Sequence, residues 1–382
     1  DENLQEDDDD DDYEDDNASI EVFDIQGALE QDKYTLPMHF RCAVHKMSLI
    51  AKTDVSKHLK LKNVDPNGRY KRLAGKTLAK LKLVWAKQNT STNAAEIIKK
   101  ICWEYFVTPN MTRWNSLRDS MKRADRLLHA SNDRLKSLFT QLKVPPLTED
   151  EALFVHEYVL VTNDFARALD MLQGDKDMFL GFVLPTINFL KLKLENLKPQ
   201  LKMCVPLANA LIIGLEKRFQ PLFDDEFHLL ATITHPEFKD MDDERFNFDT
   251  ETKVKAKTLF VNELQKVIPN DEKNMQETNC DQKEEIHGFF PAKKKAKTQE
   301  SALDMVERYV RTENLESNEL LKSFPFINKV FKKFNTTLPS SASVERLFSH
   351  GGIIFQPKRR LLSDKNFENQ LMLKLNKKYY TQ

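Results

Sequence analysis

LPSSASVERLFSHGGIIFQPKRRLLSDKNFENQLMLKLN, residues 338–376, sets out several kinds of structure in 39 positions. Val344, Leu347 and Phe348 recur at i, i+3 and i+4, the spacing of one helix face, and Glu345 lies at its border. Metal-assisted phosphoryl transfer needs two or three carboxylates converging on divalent ions, whereas a single border glutamate usually faces water. The run GGIIFQP reads as a short residual strand, and Lys358, Arg359 and Arg360 read either as phosphate contacts or as solvent-facing charge beside a turn. Downstream, Phe367, Leu371, Leu373 and Leu375, with Met372, are too many apolar residues for one narrow stripe. This terminal helix is therefore expected to be covered on more than one side, by its own core or by a partner chain.

Composition sets the frame around that stretch. The 382 residues are 40% hydrophobic and 31% charged with only 9 glycines, which favours helices and predicts a mainly α chain of two or three domains. Four separated cysteines, Cys42, Cys102, Cys204 and Cys280, fit a reducing compartment and no disulfide framework. The best apolar run, MFLGFVLPTINFL at 178–190, is too short to cross a bilayer and contains Pro185, so no membrane partner is expected. The chain opens with Asp1 rather than Met, as a fragment or processed product would.

The net charge of −1 conceals an asymmetry. Sixteen acidic residues and no Lys or Arg occupy 1–32, so the remainder carries an excess of about 15 positive charges. That pattern is a common footprint of nucleic-acid association, but composition alone favours a solubilising tail beside a lysine-rich helical surface.

Four regions follow. Residues 1–35 form an acidic arm expected to be disordered. Residues 36–240 form a helical body, with residual strand expected near 20–40 and Thr148 and Glu151 set as a capping box. Residues 241–300 read as a polar linker whose PAKKKAK cluster (291–297) is of the nuclear-import type. Residues 301–382 resume helical spacing.

Two further motifs stand inside the body. In RCAVHKMSL, Cys42 and His45 lie three apart, which on a helix puts them on one face. With no second Cys/His pair nearby to complete a zinc site, they read as a packed cysteine and a buried histidine. In TRWNS, Arg113 and Trp114 can pair with a phosphate and stack on a base, or simply start a helix with Trp114 as a core anchor.

Taken together, these pieces resemble the hAT superfamily of DNA transposases and the host proteins derived from them, most closely the BED-type zinc-finger proteins with a C-terminal hAT dimerisation region. The likeness is densest over 338–376, and RCAVHKMSLIA, TRWNSL, VLPTI (183–187) and THPEFK (234–239) extend it across most of 36–376. The resemblance implies a helical insertion domain plus the C-terminal remnant of an RNase H-like fold, with 301–382 as the dimerisation region.

By the same resemblance Glu345 matches the family's catalytic glutamate, Cys42 and His45 its Cys-x-x-His helix, and Arg113 and Trp114 its Arg-Trp pair for handling the transposon end. Lys358, Arg359 and Arg360 would contact DNA. Val344, Leu347, Phe348, Phe367, Leu371, Leu373 and Leu375 would form the dimer contact. The departure is upstream. The family's two aspartate-bearing strands should precede Cys42, yet only the acidic tract stands there, and the BED finger is absent. One carboxylate cannot hold two metal ions, so Glu345 is expected to be idle and no metal or other cofactor is expected unless the aspartates are supplied upstream. The expected protein is a non-catalytic nuclear homodimer, possible DNA contacts included, with no small-molecule substrate. The alternative is the C-terminal fragment of an active transposase carrying out RNase H-like, metal-dependent phosphoryl transfer.

Overall fold

Seven consecutive residues, His228 to Thr234, are buried without a break. A helix that is apolar or internally satisfied all round has to sit inside the protein, and this one does. Its threonines remain there because each hydroxyl donates to a carbonyl one turn back: Thr232 to His228 O at 2.9 Å and Thr234 to Leu230 O at 2.6 Å.

The computed structural model describes residues 40–61, 63–65, 68–110, 114–130, 132–174, 177–268, 301–313, 315–355 and 361–377. The helices all belong to one compact unit, Cys42–Gln382. In chain order they are α1 (Ala43–Leu49), a π-turn (Ile50–Asp54), α2 (Val55–Leu59), α3 (Arg69–Thr90), α4 (Thr92–Cys102), α5 (Trp114–Ala130), α6 (Asn132–Gln141) and α7 (Glu149–Leu172). They continue with α8 (Val183–Leu197), α9 (Val205–Phe219), α10 (Glu226–Thr234), α11 (Thr250–Val267), α12 (Ala302–Arg311), α13 (Ser317–Ser323), α14 (Pro325–Asn335), α15 (Ala342–Ile354) and α16 (Asp364–Leu375). The chain is thus mainly α, and no strand occurs among the described residues. None of these helices is long and apolar enough to cross a membrane.

The long helix α7 is the axis of the first half. Thr148 and Glu151 close the capping box: the Thr148 hydroxyl accepts the Glu151 N–H at 3.3 Å and the Glu151 carboxylate accepts the Thr148 N–H at 2.7 Å. Lys80 of α3 neutralises that buried carboxylate at 2.6 Å. Further along α7, buried Glu157 accepts the backbone N–H groups of Lys202, Met203 and Cys204, each at 2.8 Å. A buried carboxylate with three donors is satisfied, and it fixes the turn into α9.

The second half is stitched around α10. Gly181 lies so close to it that an added Cβ would stand 2.4 Å from the Ala231 carbonyl oxygen. The Asn335 side chain, at the end of α14, accepts the Gly181 N–H at 3.0 Å and donates to Ala231 O at 3.0 Å and Thr234 Oγ1 at 3.2 Å. Tyr309 of α12 donates its buried hydroxyl to Thr234 O at 2.7 Å. Lys239 Nζ donates to the α12 carbonyls of Tyr309 (3.0 Å) and Val310 (2.8 Å). His235 lies among Phe179, Phe182, Phe238 and Phe331, with ring centroids 4.9–5.7 Å away. The motifs VLPTI and THPEFK are therefore core: all five residues of the first are buried, and the second ties α12 and α14 to α10.

Two expectations are corrected. Residues 250–267 are not linker but helix α11, whose Ala256, Phe260 and Leu264 are buried at i, i+4 and i+8 together with Thr252 and Glu263. The GGIIFQP strand is also replaced: Gly351–Ile354 form the last turn of α15. Gly351 faces α16, where an added Cβ would lie 3.2 Å from Phe367 Cζ, so the glycine serves helix-to-helix approach rather than an extended turn. The acidic arm, the strand expected near 20–40 and the PAKKKAK cluster lie outside the described residues.

Candidate functional site

Two of the motifs that are farthest apart in sequence meet in space. Cys42 is the N-cap of α1, with φ −54° and ψ 119°, and its Sγ accepts the His45 N–H at 3.3 Å. The same sulfur accepts the N–H of Ser341 at 3.3 Å, and the Ala43 N–H donates to Pro339 O at 2.9 Å. Ser341 stands at the N-cap position of α15 and donates its hydroxyl to the Glu345 carboxylate at 2.6 Å. Cys42, Ser341 and Glu345 thus form one chain of polar contacts joining the starts of α1 and α15. Burial pushes the Cys42 thiol up, but hydrogen bonds from Ser341, His45 and Ser340 outweigh it and hold the thiol below its ordinary value.

His45 departs from the expectation: its side chain is exposed rather than buried. The physical reason is that Cys42 stands outside the helix as its cap, so the i, i+3 rule that would align the two side chains does not apply to it. Glu345 is exposed in the first turn of α15, with Ser341 as its partner.

The expected Val344–Leu347–Phe348 face splits in two. Half-buried Leu347 and buried Gly351 and Ile354, at i, i+4 and i+7, form one face, and Gly351 meets Phe367 of α16 there. Phe355 packs edge-on against Phe367 at 5.8 Å. Val344 (50% exposed) and Phe348 (71%) turn to solvent instead. On α16, Phe367 and Leu371 are half-buried, Leu373 (58%) and Leu375 are exposed, and no residue of that helix is fully buried. Trp114 opens α5, while Arg113, Lys358, Arg359 and Arg360 lie outside the described residues.

A second cluster was not legible as a site. Asp125 and His129, one turn apart on α5, face His156 of α7. His129 Nε2 lies 3.0 Å from His156 Nδ1 and 3.4 Å from Asp125 Oδ1, and His156 Nδ1 lies 3.2 Å from the same oxygen. Among the described residues this is the one group of three or more His, Cys, Asp or Glu side chains arranged to hold a metal ion. Its sequence signal was only the i, i+4 spacing of Asp125 and His129, since His156 comes from another helix.

No protein-family model and no curated protein matches this sequence.

Proposed function

We propose that this chain derives from a hAT transposase and acts by pairing with a second copy of itself through α15 and α16, without carrying out phosphoryl transfer. The observation that carries this reading is the apolar surface left facing solvent on that helix pair. Val344 and Phe348, at i and i+4, are exposed on one side of α15, Phe355 is exposed just past its end, and Met372 and Leu373 are exposed on α16. Large apolar side chains exposed together on one helix pair suit an interaction surface, and the same residues on a second copy are their simplest complement.

The idle role for Glu345 is supported by its bond to Ser341. Association with DNA is supported by the excess positive charge beyond residue 32, and nuclear import by the lysines of PAKKKAK.

Sedimentation equilibrium of the whole chain tests the pairing. The wild type should be dimeric at about tens of micromolar. Phe348→Glu combined with Leu373→Glu should be monomeric with an unchanged melting temperature, because both side chains already face water. A monomeric wild type at that concentration would falsify the reading. For DNA, duplex affinity should fall steeply with salt, and a flat salt dependence would remove phosphate contacts from the proposal.

A further inference from the structure

The His129–His156–Asp125 cluster is peculiar in that one ligand atom of each residue lies close to both of the others. Their separations are 3.0, 3.2 and 3.4 Å, which makes a nearly equilateral triangle. Hydrogen bonding alone accounts poorly for such a set. Two neutral imidazoles present one nitrogen each to this triangle, and a carboxylate only accepts, so two protons at most serve three contacts and one of the three pairs is left without a proton, although His156 Nδ1 also reaches the second Asp125 oxygen at 3.3 Å. A divalent cation above the triangle satisfies all three lone pairs together. Ligands about 2.0–2.1 Å from zinc in a tetrahedron stand roughly 3.3 Å from one another, which is the spacing found here.

The elements also hold the ligands where a metal would need them. Asp125 and His129 share a face of α5 by their i, i+4 spacing. The antiparallel partner α7 is fixed against α5 at the far end by Asn115, whose amide donates to Asp170 at 2.7 Å. Asp125 is 14% exposed and so anchored, whereas His156 (37%) and His129 (64%) open the cluster to solvent. That gradient leaves an entry path and room for a water as fourth ligand.

We propose that Asp125, His129 and His156 bind one Zn2+ ion, with water in the fourth position, and that the ion clamps α5 to α7. The donor set of two imidazoles and one carboxylate suits zinc and disfavours the hard cations Ca2+ and Mg2+, which take oxygen ligands. The cluster is separate from Glu345 and independent of the pairing proposed above.

The whole chain, freed of metal by chelator, is dialysed against Zn2+ and separately titrated with Co2+. The expected result is one ion bound per chain and visible d–d bands of tetrahedral strength without a near-ultraviolet thiolate band, which separates this site from the cysteines. Zinc should raise the melting temperature. His129→Gln, His156→Gln and Asp125→Asn should each weaken binding at least about tenfold, as even loss of an outer partner of a metal ligand does. His129→Gln guards against misfolding, since that side chain is mostly exposed; its metal-free melting temperature should match the wild type. A wild type that takes up neither ion, or three variants that bind as tightly as it does, overturns the site.

Discussion

Ser341 and Cys42 are 299 positions apart, and the backbone N–H of the first donates to the sulfur of the second at 3.3 Å. A thiol is a weak acceptor, yet here it completes two helix starts at once, because the His45 N–H shares it. The start of α1 and the start of α15 are therefore one structural unit.

Cys42→Ala should destabilise the protein by about 1–2 kcal/mol, the cost of losing a cap and stranding N–H donors, as read by urea unfolding. Cys42→Ser, which keeps an acceptor, should cost clearly less. The sign of the pH dependence follows from the lowered thiol. A group that loses its proton more readily when folded adds stability at alkaline pH and loses it as pH falls through its folded range. The gap between wild type and Cys42→Ala should therefore widen on going to alkaline pH.

His235 dictates the acid side. Burial lowers it to about 4, from an ordinary value near 6.5. The unfolded chain then takes up a proton that the folded one refuses, so stability is full above about pH 6.5 and declines between there and about pH 4. At pH 5 this group alone accounts for a loss of about 2 kcal/mol relative to pH 7. His235→Phe, which keeps a ring in the aromatic cluster, should flatten that slope in urea titrations at the two pH values. His228, lowered by burial against the opposing pull of Asp225, contributes in the same direction and leaves a smaller residual slope.

Glu157→Gln replaces one of the two oxygens that accept three N–H groups with an amide nitrogen that cannot accept. A stranded buried donor costs about 1–3 kcal/mol, so chemical unfolding should show a loss in that range or somewhat above. An unchanged midpoint would mean that the turn at 202–204 is not held by this carboxylate.

Gly181→Ala should be worse than an ordinary surface change, since the new Cβ meets backbone at 2.4 Å rather than a movable side chain. Overpacking of this kind costs typically about 1–3 kcal/mol. A melting curve should register it, and Gly75→Ala on α3, where an added Cβ meets nothing within 4 Å, should be neutral or stabilising.

The helical character of the chain and the Thr148–Glu151 cap were readable from periodicity and local chemistry, because both are written within a few residues. Helix α11 was hidden because its buried apolar stripe is only Ala256, Phe260 and Leu264, and a stripe that narrow disappears in a lysine-rich count. The glycine pair at 351–352 misled for the opposite reason: glycine signals a turn locally, and only the position of Phe367 shows that α15 needs it for close packing. Asp125, His129 and His156 could not be read as a group, since the third member depends on how α5 lies along α7.

Lys239, Thr234 and Ala231 lie before residue 269, and their partners Tyr309, Val310 and Asn335 lie after residue 300. The bonds named between these two portions are hydrogen bonds with defined partners. Polypeptides ending at 268 and beginning at 301, made separately and mixed, should thus reassemble by fragment complementation.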